Sequence, residues 1–184
     1  MMNLLALIAA FAAPQDDFIP LKKGVKWVYK MQDQDVVQSV TGTEKINNTE
    51  TFVVESDMGG QKERTWIAPN AEGMWLYKVQ SGESVSELAK PVMLIKYPLK
   101  SGDTWESKIP LGNSIVDYTF ENGGEEEVTV PAGKFTAWKI KMKGKMGGLS
   151  FSGTYWYAKG TGLVKQSMSS PQGEFRLELK EFKP

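Results

Sequence analysis

The side chains that could do chemistry in this 184-residue sequence are carboxylates, lysines and aromatics, because it contains neither cysteine nor histidine. Without histidine it lacks the usual general base near neutral pH and the commonest transition-metal ligand. Without cysteine there is no thiol nucleophile, disulfide framework, thiolate zinc site or acylated-cysteine anchor on the chain as given. Carboxylate chemistry remains open, since the 22 Asp and Glu residues could supply the acid and base of a hydrolase. No spacing singles out a pair. The densest run, Glu125-Glu126-Glu127 with Glu121, lacks the alternating Asp/Asn of a calcium loop. It faces Lys139, Lys141, Lys143 and Lys145 across Pro131-Ala132-Gly133. If Val130 pairs with Phe135, Glu126 lies opposite Lys139 and the two runs neutralise each other across strands.

The second chemistry is apolar recognition. Six Trp, six Tyr, eight Phe and nine Met are a generous supply of large apolar side chains for this length. Trp66, Trp75, Trp138, Trp156 and Tyr157 are the candidate lining of a cavity or concave face for a lipid, an acyl chain or a peptide. The competing reading is that a large twisted sheet uses such side chains simply as filling. Sequence alone leaves hollow and filled interiors both open.

The elements that would position these residues are almost all strands. Trp138, Ile140 and Met142 alternate with Lys139, Lys141 and Lys143, and Phe175, Leu177 and Leu179 alternate with Arg176, Glu178 and Lys180. This period of two marks strands with one wet face. Val25, Trp27, Tyr29 and Met31 make a third such face, and Val116, Tyr118 and Phe120 a fourth. Gly59-Gly60, Gly147-Gly148 and Asn122-Gly123-Gly124 offer the positive-φ positions of hairpin turns. The pattern predicts an all-β antiparallel meander, closed as a barrel or curled as a half-barrel.

The chain also repeats itself. Pro20-Leu21-Lys22-Lys23-Gly24-Val25-Lys26-Trp27 matches Pro98-Leu99-Lys100-Ser101-Gly102-Asp103-Thr104-Trp105 at Pro, Leu, Lys, Gly and Trp. In each copy the proline precedes a strand, the glycine turns the chain and the tryptophan enters the core. A second echo links Trp66-Ile67-Ala68 to Trp156-Tyr157-Ala158. Two diverged β-rich repeats are therefore expected in one domain spanning 13–184. Repeat one covers about 18–80 and repeat two about 95–184, joined by a Ser/Gly/Glu-rich linker at about 80–94.

Residues 4–12 are an apolar run too short to span a bilayer, ending in the small-x-small site Ala10-Phe11-Ala12. A signal peptide over 1–12 is expected, cut after Ala12. No later segment could cross a membrane as a helix. Balanced charge, 22 Lys and Arg against 22 Asp and Glu, gives no field to attract nucleic acid.

Three segments together resemble a family: Ile19 to Trp27, Val128-Thr129-Val130-Pro131-Ala132-Gly133-Lys134-Phe135, and Tyr155-Trp156-Tyr157-Ala158-Lys159-Gly160-Thr161-Gly162-Leu163. The chain is similar here to exported bacterial all-β proteins of the TapB-like and domain-of-unknown-function type. The resemblance implies a secreted or periplasmic β-domain with no catalytic residues to carry over. Many such proteins resemble lipoproteins, whereas this sequence has no lipobox cysteine. The resulting expectation is an exported, non-enzymatic β-domain, periplasmic or secreted, that binds an apolar small molecule or an envelope protein. A carboxylate hydrolase and a purely structural envelope protein are the alternatives. No cofactor, metal or nucleic acid is expected, and the oligomeric state is left open.

Overall fold

The computed structural model describes residues 18–111, 114–171 and 173–184. The apolar run and the cleavage site expected after Ala12 lie outside the described residues. Twelve strands form one antiparallel sheet. The first six are β1 (Lys26–Met31), β2 (Gln34–Ile46), β3 (Thr49–Met58), β4 (Gln61–Asn70), β5 (Gly73–Ser81) and β6 (Ser84–Lys96). The second six are β7 (Thr104–Leu111), β8 (Ser114–Val130), β9 (Gly133–Met146), β10 (Leu149–Ala158), β11 (Gly162–Ser170) and β12 (Gly173–Lys183).

Each strand pairs with its neighbour in sequence, except that β6 and β7 share no ladder while β1 pairs with β12. The sheet order is β6-β5-β4-β3-β2-β1-β12-β11-β10-β9-β8-β7, so the result is a nearly closed barrel with one unsealed seam between β6 and β7. The expected all-β meander is what the chain adopts. The two edges at the seam are bridged by side chains. Ser107 donates to the Met93 carbonyl at 2.7 Å and Lys96 meets Asp103 at 3.5 Å.

Local chemistry explains the turns. Asn47 and Asn48, with φ of 46° and 66°, make the two-residue β2–β3 turn that positive-φ-tolerant residues favour. Two expected turns take a different form. Gly123 and Gly124 do not turn a hairpin; they form a bulge within β8, where the Asn122 side chain accepts the Gly124 N–H at 3.1 Å. The next hairpin turns on Pro131 and Ala132 alone, so Val130 pairs with Gly133 and Glu126 with Ala137. The expected register was wrong because the turn is shorter than assumed. The charges still meet, Lys141 directly opposite Glu121 at 2.8 Å and the other two pairs diagonally, Lys139–Glu126 at 3.0 Å and Lys134–Glu127 at 3.3 Å. The stretch 80–94 is likewise the end of β5, a turn and most of β6 rather than a linker, its serines and glutamates lying along an edge strand.

The two Pro-Leu-Lys-x-Gly-x-x-Trp motifs open β1 and β7, with Gly24 and Gly102 left-handed and Trp27 and Trp105 only 3% and 8% exposed. Their environments differ in one respect. Trp27 donates its indole N–H to the Thr161 carbonyl at 2.6 Å, whereas the buried Trp105 N–H has no partner. Residues 18–22 cross one end of the barrel, where Ile19 and Leu21 pack into both core clusters and Phe18 lies 6.4 Å from Tyr97. The tip of the β8–β9 hairpin also closes this end, the Ala132 N–H reaching the Leu179 carbonyl at 2.9 Å.

Trp27→Phe removes a made hydrogen bond and strands a carbonyl, while Trp105→Phe removes an orphan donor. Both lose similar ring volume, so urea denaturation should show Trp27→Phe as the more destabilising by about 1–2 kcal/mol.

Candidate functional site

Alternation along the strands sends one set of side chains into the barrel, and these do not fill it. They enclose a cavity of about 430 Å³. That volume lies within the roughly 300–1,000 Å³ typical of small-molecule sites. Its wall is mostly aliphatic and aromatic: Val54 from β3, Ile67 from β4, Leu76 from β5, Ile140 from β9 and Tyr155 and Tyr157 from β10. Apart from the tyrosines and Trp27, the polar side chains lining it among the described residues are Gln38 from β2 and Glu63 and Thr65 from β4.

The two ends of the cavity differ. The end crossed by residues 18–22 is closed and carries Trp27, Leu163 and Tyr157. Glu63, Val79 and Tyr118 stand toward the other end, near the β3–β4, β5–β6 and β7–β8 turns. Here partial burial alone pushes the Glu63 carboxyl above its ordinary value. Large apolar side chains are exposed around this second end. Met58, Val85, Ile115, Leu149 and Phe175 each lie within three residues of a hairpin turn there, with Ile115 60% and Phe175 41% exposed.

Inside the barrel, tyrosines gather. Tyr29 donates to the Leu163 carbonyl at 3.0 Å, and burial raises its pKa, with the neighbouring Tyr157 adding to the shift. Burial, then Tyr155 and Tyr97, push Tyr157 up in turn. Tyr155 is pushed up to about 12, by burial first and Tyr118 second, and its hydroxyl has only the Met168 sulfur at 3.7 Å. Sequence reasoning found one member of this group, Tyr157. Alternation of Tyr155 and Tyr157 along one strand was the available signal for a second.

The expected aromatic lining needs correction. Of the five candidates, only Tyr157 reaches the cavity. Alternation runs unbroken along β4 and β10, so Trp66 faces outward between the inward Thr65 and Ile67, and Trp156 between the inward Tyr155 and Tyr157; the bulges beside them insert Tyr77 on β5 and Val164 on β11. On the outer face each tryptophan makes the same contacts. Trp66 donates to Glu44 at 2.7 Å beneath Lys78, whose ammonium is 4.2 Å from the ring centre and 3.2 Å from Glu44. Six strands later Trp156 donates to Glu126 at 2.6 Å, with Lys139 and Lys165 each 5.8 Å from its ring. These are outward-facing structural clusters. Trp75 is tied to Asn70 at 2.9 Å and lines a shallow depression of about 350 Å³ along the seam, beside Trp105 and Met93. Trp138 is half-buried on β9, opposite Tyr157 and Glu125, and lines neither space.

The arrangement is suited to enclosing an apolar molecule. For hydrolysis the cavity offers a single carboxylate, Glu63, among the described residues, so the pair used in glycoside hydrolysis is not assembled in it. No group of three or more Asp or Glu able to hold a metal occurs among the described residues.

A model of the DUF3108-like family matches residues 107–176. That segment runs from within β7 into β12. The resemblance to domains of unknown function is therefore upheld there, and no comparison carries the TapB-like label. No curated protein matches the sequence significantly. Among solved structures, an exported-protein candidate of Bacteroides fragilis with a YmcC-like fold is 16% identical, with a TM-score of 0.50 over 91% of this chain and 99% of that one. It shows the same fold. A lipoprotein candidate of Parabacteroides distasonis is also 16% identical, with a TM-score of 0.48 over 91% and 99%. The hypothetical lipoprotein YmcC of Escherichia coli is 10% identical, with a TM-score of 0.37 over 87% and 85%.

The outer tryptophan clusters carry a pH dependence. The Trp66 N–H first, and Lys78 second, hold the Glu44 carboxyl below its ordinary value of 4.5. Trp156 and then Lys139 do the same for Glu126. A carboxylate whose folded pKa is lowered stabilises fully above its unfolded value, and that contribution is lost as pH falls through the folded value. A Glu44→Gln, Glu126→Gln double variant should thus be less stable than the parent at pH 7. In urea denaturation the gap should shrink steadily as the pH drops below 4.5.

Proposed function

We propose that this protein is an exported, non-enzymatic barrel that binds an apolar small molecule in its interior. The observation that carries this reading is the aliphatic and aromatic cavity of about 430 Å³, closed at one end by residues 18–22. A fold of this size can fill its interior, since buried side chains normally pack at crystal-like density. An apolar space left open at a cost in packing is therefore a reason to look for an occupant. The exposed apolar side chains at the other end extend that character to the mouth.

Export is supported by the apolar run of residues 4–12 with its small-x-small site, and by the exported or lipoprotein descriptions of proteins with similar structures. We also propose that the barrel arose by duplication of a six-stranded unit. The Pro-Leu-Lys-x-Gly-x-x-Trp motifs open β1 and β7, and the Trp-Glu-Lys clusters recur on β4 and β10, each beside a bulge in the next strand, at Tyr77 and at Val164. Under that equivalence the β1–β12 ladder corresponds to the open β6/β7 seam.

The direct test uses the apolar fluorophore N-phenyl-1-naphthylamine. Saturable, one-to-one enhancement of its emission is expected with the parent protein. Val79→Trp, which places an indole at the mouth side of the cavity, should weaken it at least about tenfold while circular dichroism stays unchanged. Absence of enhancement with the parent protein, or equal binding by a folded Val79→Trp variant, would count against an interior site. In the producing cell, mass spectrometry of the exported fraction should find a mature chain beginning at Ala13; a chain retaining Met1 inside the cell would contradict export.

A further inference from the structure

Resting on the reading that the interior takes an apolar ligand, we infer that this ligand is uncharged and carries a hydrogen-bond-accepting carbonyl, held inside the barrel by the hydroxyls of Tyr157, beside the closed end, and Tyr155, nearer the mouth. Three observations lead there. First, the tyrosines are placed to donate. Tyr157 is the penultimate residue of β10, beside the closed end of the cavity, and no protein group among the described residues accepts a hydrogen bond from its hydroxyl. Tyr155 stands two residues nearer the mouth on the same face, its hydroxyl committed only to a sulfur at 3.7 Å, a weak acceptor. By contrast Tyr29, the buried tyrosine of β1, has its donor satisfied by the Leu163 carbonyl. Two phenols kept protonated by burial therefore present O–H donors into an apolar space. A buried polar group normally finds a partner, so a donor aimed into a cavity marks where a ligand acceptor belongs.

Second, among the described residues no lysine or arginine lines the cavity to hold an anion, and its one ionisable carboxyl, Glu63, stands at the opposite end. Burying a carboxylate with no cation costs far more than two hydroxyl donors return, so a free fatty acid is disfavoured against its ester. Third, the remainder of the wall and the exposed apolar side chains at the mouth suit an aliphatic or ring portion running outward from the carbonyl. The ligand class is an esterified or amidated acyl chain, or an apolar ring system bearing a ketone.

The test measures displacement of N-phenyl-1-naphthylamine by methyl dodecanoate, sodium dodecanoate and dodecylamine at pH 8. The expected order places methyl dodecanoate at least about tenfold ahead of dodecanoate. Tyr157→Phe keeps the ring and removes the hydroxyl; it should weaken methyl dodecanoate about fivefold and leave the fluorophore unchanged. Tyr155→Phe provides a second, independent loss of the same kind. If dodecanoate equals or exceeds the ester, or if both variants bind the ester like the parent, the tyrosines are merely filling the barrel and the inference fails. Tighter binding of dodecylamine would overturn it too, in favour of an ammonium seated at Glu63. Failure of the fluorophore to bind the parent protein would instead remove the interior site itself.

Discussion

The pairing of the first strand with the last governs this architecture. Because β1 and β12 form a ladder, both ends of the sheet order fall in the middle of the sequence, on β6 and β7. Tyr29 and Leu179, paired across that ladder, are 1% and 0% exposed. They anchor the cluster that also receives Val128 and Val130 from the β8–β9 hairpin. Every other pairing is between neighbours in sequence and could form locally. The β1–β12 ladder alone must bring together residues more than a hundred positions apart, so barrel formation waits on it.

Much of the fold was legible because it is written in period-two alternation and turn chemistry, which depend on adjacent residues. Trp138 to Lys143 and Phe175 to Lys180 read correctly as strands, as did the Gly59-Gly60 and Gly147-Gly148 turns. The failures concern single steps of register, which composition does not show. Gly123-Gly124 reads as a turn yet bulges β8, and Trp66 and Trp156 take the outer face because Thr65 and Ile67, like Tyr155 and Tyr157, take the inner one. What the sequence could not convey about the site was thus its inside and outside. Tyr157 was picked out, while Tyr155 and the aliphatic wall of Ile67, Leu76 and Ile140 look like ordinary core until the cavity is seen.

The outer Trp-Glu-Lys clusters illustrate how such a sheet protects its apolar residues. Each indole is shielded by a lysine stem and ammonium and its N–H is capped by a carboxylate, so a large aromatic sits on the wet face without presenting a sticky patch. The proposed duplication accounts economically for two such clusters six strands apart. The equivalence breaks at the two core tryptophans, where the Trp27 N–H finds the Thr161 carbonyl of the β10–β11 turn and the Trp105 N–H finds no partner.

A barrel sealed all round has its girth set by strand number and stagger, and widening it means rupturing a ladder. Here the circumference is interrupted at β6 and β7, held by the Ser107–Met93 contact and the Lys96–Asp103 ion pair. The hoop is therefore closed by a clasp. Parting two side-chain fastenings costs less than parting a row of main-chain bonds, so any change in the lumen's width would open this seam before any of the eleven ladders of the sheet.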